Sequence, residues 1–214
     1  MTRLLLGVVL LGNLGVTVQV TLPPPTKVRF DSVDYKNILR WTPPNNSTSL
    51  HYYAQWKIYG ERQWFDVDGC QGIQSLQCDL SQVTSEPREW YYARVRASLP
   101  PNKSAWSISQ RFSPSWNTQI SPPVLKLTVR EQEIVVHMKP PKPTVLKLHG
   151  SLIYKIYLKH TSGEEEVFEM ECCLNKLTLK GLNHKAKYCF QAQILAPLQA
   201  KLGTRSSIKC VTTL

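Results

Sequence analysis

Acidic residues are scarce in this sequence. Asp and Glu number 15 against 26 Lys and Arg, which leaves a formal net charge of +11. Such an imbalance invites an anionic partner such as nucleic acid, anionic lipid or sulfated polysaccharide, and must be read against where the charge lies. Catalytic signatures are missing as well. There is no Gly-x-Ser-x-Gly, no His-Glu-x-x-His and no glycine loop that could cradle a phosphate, so the common hydrolase, metalloprotease and nucleotide-binding patterns are excluded. No Cys-x-x-Cys spacing or nearby His pair offers a metal-ligand set. Past the N-terminal region no second apolar run occurs, and the chain carries no convincing helical stretch of ten or more residues. Disorder is not the explanation, because the hydrophobic content of 42% is high enough to fill cores. A non-enzymatic protein without cofactor or metal is expected.

The first residues point to export. Met1-Thr2-Arg3 is a positive start, Leu4 to Val16 is apolar apart from Asn13, and polar residues and a proline triplet follow from Thr17. A charged start, a short apolar stretch and a polar exit describe a secretory signal peptide, placed here at residues 1–20. A retained signal anchor is the alternative, against which the run is short of the ~20 residues that a spanning helix needs. With no second apolar run, a secreted, extracellular protein with no membrane span is expected. Export puts the cysteines where they pair. Sequons at Asn45, Asn46 and Asn102 are then glycosylation candidates, with Asn45 and Asn46 overlapping.

The remainder reads as short alternating strands. Lys27–Phe30, Ile38–Trp41, Tyr52–Ile58 and Tyr91–Ala97 form one set; Leu125–Val129, Glu133–Met138, Leu152–Lys159, Lys176–Leu179 and Tyr188–Ile194 form a second. Period-two patterning broken by Pro, Gly and Asn predicts an all-β chain of two sandwiches. They meet at a proline joint, Pro122-Pro123, with domains at residues 22–118 and 122–214. Tyr91 and Tyr188 occupy equivalent places, each opening a strand at a tyrosine corner, with Leu182 as the partner leucine of Tyr188 and Trp41 as a core tryptophan. Arg94 and Arg96 alternate on the opposite face from Tyr91, where they suit stacking on Trp106 and Trp116.

Charge and cysteine leave questions open. Residues 4–118 hold 11 basic and 8 acidic groups, and residues 119–214 hold 14 and 7. The basic residues are scattered rather than clustered, which argues against nucleic acid and leaves weak glycosaminoglycan contact as a further reading. Glu164-Glu165-Glu166 reads as a solvated turn. Six cysteines allow fifteen pairings.

The motifs Val33-Asp34-Tyr35-Lys36-Asn37-Ile38-Leu39-Arg40-Trp41, Tyr59-Gly60-Glu61-Arg62-Gln63-Trp64, Tyr91 to Ala97, Trp106-Ser107 with Arg111-Phe112, and Tyr188-Cys189 with Cys210 resemble the class II cytokine receptors, the interferon and interleukin-10 receptor family. The resemblance runs over about residues 23–211 and is strongest to the family's interleukin-22-binding branch. It implies tandem fibronectin type III domains joined at an elbow, with disulfides Cys70–Cys78 and Cys189–Cys210. Cys172 and Cys173 stay unexplained by it; a vicinal disulfide, a bond to another chain and free thiols remain open. The implied partner is a helical cytokine of the interleukin-10 family, interleukin-22-like, gripped by elbow loops of a monomeric chain that blocks signalling as a decoy. Those loops map to Tyr59, Gly60, Glu61 and Arg62; to Thr84 and Ser85; to Leu99 and Pro100; to Leu146 and Lys147; and to Pro197 and Leu198. A membrane-anchored receptor ectodomain and an adhesion or matrix module are the alternatives.

Overall fold

The computed structural model describes residues 22–44, 49–160, 162–172 and 174–214. The expected leader at 1–20, the sequons at Asn45 and Asn46, and Cys173 lie outside the described residues.

Strand follows strand through both halves. The first half runs β1 (Thr26–Val33), β2 (Lys36–Thr42), β3 (His51–Ile58), β4 (Phe65–Ile73), β5 (Gln77–Asp79), β6 (Tyr91–Leu99), β7 (Asn102–Lys103) and β8 (Ser107–Ile108), then a short helix α1 (Pro114–Asn117). The second runs β9 (Leu125–Arg130), β10 (Glu133–Met138), a helix α2 (Pro143–His149), β11 (Ile153–Lys159), β12 (Glu165–Glu171), β13 (Lys176–Leu179), β14 (Lys187–Ala196), a 3-10 turn (Pro197–Gln199), β15 (Lys201–Leu202) and β16 (Lys209–Thr212). Each half makes one three-stranded sheet, β1-β2-β5 or β9-β10-β13, and one five-stranded sheet around β3-β6 or β11-β14. All named strands pair antiparallel, and the halves repeat the same order. These are two tandem fibronectin type III sandwiches.

Alternation in the strands builds the cores. In the first sandwich Leu39 and Trp41 of β2 face Tyr52 and Ala54 of β3 and Ala93, Val95 and Ala97 of β6. In the second, Ile134 and Val136 of β10 face Tyr154 and Ile156 of β11 and Phe190, Ala192 and Ile194 of β14. Burying a large apolar side chain contributes about 1.5–3 kcal/mol, so each of these layers is a main source of favourable burial in its sandwich. Ile120, from the joint, is 1% exposed and packs in the second core.

Both expected disulfides form. Cys70–Cys78 links β4 to β5 and so staples the two sheets of the first sandwich together. Cys189–Cys210 joins register partners on neighbouring strands β14 and β16. Cys172 is buried in the second core beside Tyr154. The tyrosine corners are present: the Tyr91 hydroxyl donates to the Glu86 carbonyl at 3.1 Å, and the Tyr188 hydroxyl accepts from the Asn183 N–H at 3.0 Å.

Two local expectations need correcting. Glu165 and Glu166 are not turn residues; they open β12, where Glu165 pairs by register with Lys159. The Arg205 guanidinium grips both Glu165 oxygens at 2.9 Å and lies 3.6 Å over the Tyr157 ring. The segment Val145–Leu148 is helical rather than loop, because Pro143 sits in the first turn, where a missing N–H costs nothing.

Candidate functional site

The corner between the sandwiches is held by buried polar contacts. Asp34 and Tyr35 form the β1–β2 turn with positive φ of 50° and 66°, a conformation that Asp tolerates better than most residues. The Asp34 side chain is 1% exposed. It accepts from the Ser121 N–H at 2.9 Å and the Ser121 hydroxyl at 2.6 Å, and pairs with Lys142 Nζ at 3.1 Å. The joint itself is strung between halves by backbone bonds, Asp34 N–H to Gln119 O at 2.8 Å and Gln119 N–H to Ser32 O at 2.9 Å. Across the corner, Lys201 donates its ammonium to the carbonyls of Ser115, Trp116 and Thr118 at 3.0, 2.9 and 2.7 Å.

A second lock is aromatic. His149, at the end of α2, is 1% exposed. Its Nε2 lies 2.9 Å from the Tyr35 hydroxyl and its Nδ1 lies 3.1 Å from Gln199 Oε1. Burial holds the imidazole below its ordinary value, with a smaller push in the same direction from Lys201 and an opposing one from the Gln199 bond. Burial likewise pushes the Tyr35 phenol up to about 12 and lowers the Lys201 ammonium. The elbow is thus a neutral, hydrogen-bonded plug framed by two satisfied charges.

Over this plug lies an open cleft of about 760 Å³ lined from both sandwiches, by Glu86, Arg88 and Trp116 on one side and Lys147, Leu198 and Gln199 on the other. Exposed apolar groups stand in its lining, at Trp116 and Leu198, and outside it, at Leu146 and Tyr59. Trp116 is 57% exposed on α1, Leu198 79% on the 3-10 turn, Leu146 37% on α2, and Tyr59 54% just past β3. Tyr59 is placed by its N–H bond to the Trp90 carbonyl and by Gly60, whose φ of 93° lets the chain reverse. The Arg111 guanidinium lies 5.1 Å over the Tyr59 ring and 4.3 Å over Trp90. Lys57 donates to the Glu61 carbonyl at 2.9 Å. At the loop's return, Trp64 stacks on Arg94 at 4.2 Å, and Arg94 in turn lies 4.4 Å from Trp106. Arg96 continues the stack on Trp106 and Tyr53. The ladder fixes the returning end of the Tyr59 loop at Trp64, while Arg111 and Lys57 brace Tyr59 and Glu61.

The expected site residues divide. Ser85 is exposed beside the cleft-lining Glu86, and Leu146, Lys147, Pro197 and Leu198 gather at the elbow end of the second sandwich. Glu61 and Arg62 are exposed in the Tyr59 turn. Thr84 does not face the surface. It is 1% exposed, donating to the Leu80 carbonyl and accepting from the Asn37 amide, each at 2.8 Å. Leu99 and Pro100 are exposed but at the wrong end. Tyr91 begins β6 beside the elbow and Leu99 ends it, so strand rise puts them roughly 26 Å apart along the sandwich. Asn102, paired with Leu99, shares that far end. Trp116 was expected in the arginine stack with Trp106; Trp64 and Tyr53 occupy that stack, and Trp116 turns outward at the corner. The Pro114 that starts its helical turn was the signal for this.

Several relatives of this chain are named as receptor subunits. Interleukin-22 receptor subunit alpha-2 of Rattus norvegicus is 33% identical over 198 residues, covering 87% of this chain and 86% of its own. The chain belongs to the class II cytokine receptor family. The human alpha-2 subunit is 30% identical over 230 residues, covering 87% and 88%. Interleukin-20 receptor subunit alpha of Mus musculus is 30% identical over 206 residues, covering 90% of this chain and 37% of its own. The family models described as tissue factor and as interferon-alpha/beta receptor, fibronectin type III, match residues 1–106 and 118–214. The chicken interferon gamma receptor alpha chain superposes with a TM-score of 0.73 at 22% identity, over 90% of this chain and 99% of that one, which speaks for the shared fold. Among the described residues no helix is long and apolar enough to cross a membrane.

Proposed function

We propose that this family member is a secreted, monomeric receptor that takes an interleukin-22-like helical cytokine of the interleukin-10 family across its elbow and withholds it from signalling receptors. The carrying observation is the convergence of exposed Tyr59, Trp116, Leu146 and Leu198, from both sandwiches, on one corner whose frame is locked underneath. Aromatic and aliphatic anchors on short, fixed loops around a cleft are the chemistry of interface hot spots. The likeness to alpha-2 subunits of the interleukin-22 receptor, over 86% of the rat chain's length, supports the ligand class. The likeness to the interleukin-20 receptor alpha subunit supports a second reading, the ectodomain of an anchored receptor; the full transcript distinguishes the two. Asn102, and Asn45 and Asn46, are the proposed glycan sites.

Titration of immobilised interleukin-22 with Tyr59→Ala and Leu99→Ala tests the site. Loss of a central aromatic anchor costs more than about 2 kcal/mol, roughly 30-fold in Kd. Tyr59→Ala should therefore weaken binding by at least that factor with unchanged circular dichroism, and Leu99→Ala should bind like wild type. Equal affinities for the two variants would refute the elbow assignment.

A further inference from the structure

Basic residues that are scattered along the second half of the sequence are gathered by strand register. On β10, His137 stands directly opposite Lys126 of β9 and Lys176 of β13. Ile134, Val136 and Met138 of β10 point into the core, so His137 and its two partners share the outward face of the β9-β10-β13 sheet. One pleat repeat toward the elbow on the same face stands Lys139, whose N–H bonds the Val124 carbonyl. Two repeats the other way stand Arg130 and Lys180, either side of Glu133. The row between holds Val135 with Thr128 and Thr178 and no charge. The face therefore carries a stripe of two basic groups, Lys126, Lys139 and Lys176 at one end and Arg130 and Lys180 at the other, over a length of about 20 Å and a width of three strands, roughly 10 Å.

The stripe is electrostatically unmet. Lys126, Lys139 and Lys176 are exposed and have no carboxylate within 4.0 Å among the described residues. The acid on the face, Glu133, lies 3.8 Å from Lys180. On the other sheet Lys155 pairs with Glu169 and Arg205 with Glu165, while Lys185 and Lys187, in and beside the turn that leads into β14, are likewise without a carboxylate among the described residues, so what sets this face apart is the grouping of its lysines. Lys126 and Lys176 flank His137 on the two neighbouring strands, two strand spacings or roughly 10 Å apart, so the face holds several positive groups close together with few carboxylates between them, which favours a polyanion. The narrow width and the length suit a linear chain carrying many anionic groups. The face holds no aromatic row on which bases could stack, as single-stranded nucleic acid would use.

We infer that the outward face of the β9-β10-β13 sheet binds a sulfated glycosaminoglycan, with Lys126, Lys139 and Lys176 as the principal sulfate contacts. This site is separate from the elbow loops and does not depend on what they bind. It would hold the protein in the extracellular matrix while the corner stays open.

The test is a pair of triple variants of equal net charge, K126S/K139S/K176S on the stripe and K27S/K103S/K187S at exposed lysines elsewhere, run with the full chain on immobilised heparin and on heparan sulfate. Each contact removed from a dense polyanion complex lowers the salt slope by about 1. The stripe variant should lose about 2–3 in that slope and elute at clearly lower NaCl, while the control triple elutes near wild type. Thermal melts of both variants should match wild type, which rules out misfolding as the cause. Coincident elution of the two triples would overturn the inference in favour of net charge alone. Binding to phosphatidylserine vesicles without binding to heparin would overturn it in favour of a membrane surface. Cytokine titration of the stripe variant should be unchanged, so failure here and failure of the elbow reading are told apart.

Discussion

Asp34→Asn is the sharpest probe of the elbow. Asn fits the positive φ of the turn as well as Asp does, and its shape is nearly the same, so the change is confined to charge and one acceptor. In the native corner one carboxylate oxygen takes the Ser121 N–H at 2.9 Å, and the other takes the Ser121 hydroxyl at 2.6 Å and Lys142 at 3.1 Å. Hydrogen bonds to a charged group contribute about 1.5–3 kcal/mol each against about 0.5–1.5 for neutral ones. Neutralising two of them therefore costs about 2 kcal/mol. The Lys142 ammonium, with its side chain 64% exposed, is screened by solvent and adds less than about 1 kcal/mol. The expected total is about 2–3 kcal/mol in urea unfolding followed by tryptophan fluorescence, with Lys142→Ala below about 1. A Lys142→Ala loss as large as that of Asp34→Asn would refute the reasoning, because the ion pair and not the buried Ser121 bonds would then hold the corner. An Asp34→Asn loss near zero would refute it outright.

Two further outcomes follow from the same region. The buried His149 is held neutral below its ordinary value, so the unfolded chain takes up the proton first. Its stability contribution is complete above the unfolded value of about 6.5 and is lost as pH falls below it. Melting curves of wild type and His149→Gln should therefore diverge in slope below that pH; parallel curves would exclude the linkage. Gly203→Ala would place a Cβ 2.8 Å from the Ile120 carbonyl oxygen and 3.2 Å from that of Ile194. Both are backbone atoms that cannot swing away, so a loss of about 1–3 kcal/mol is expected in thermal unfolding.

What could be read in advance follows from which signals are local. Central strands such as β6 and β14 alternate cleanly because one face is core, and their register then follows. β4 escaped notice because Gly69 and Gly72 and the irregular register against β3 break the period. β12 escaped because its first half, Glu165 to Val167, is exposed and charged, and only Phe168 and Met170 alternate onto the core, too short a pattern beside the run of three glutamates. The disulfide pairs came with the family likeness, since spacing alone left fifteen pairings. The Tyr59 loop came with the family likeness, with Gly60 the local reason that Tyr59 turns outward, whereas Leu99, carried over the same way, lies at the far end because alternate loops of a sandwich emerge at opposite ends, and chain order does not say which end meets the neighbour. Thr84 looked like a loop residue, and only packing shows that its hydroxyl is spent internally. The basic stripe was invisible for the same reason in reverse: Lys126, His137 and Lys176 are far apart in sequence and become neighbours through register.

Ile120 has a consequence for how the molecule can be taken apart. It precedes the proline pair yet fills the second core, and Tyr35 of the first half packs against that same core. The second sandwich is therefore not a transferable cassette. A graft beginning at residue 122 would arrive with a hole where Ile120 sits and with the His149 Nε2 stripped of the Tyr35 hydroxyl, while its Nδ1 keeps Gln199. Exchange of halves between relatives would succeed when the joint and the Asp34-Tyr35 turn travel with the second sandwich, so that the seam falls within the first.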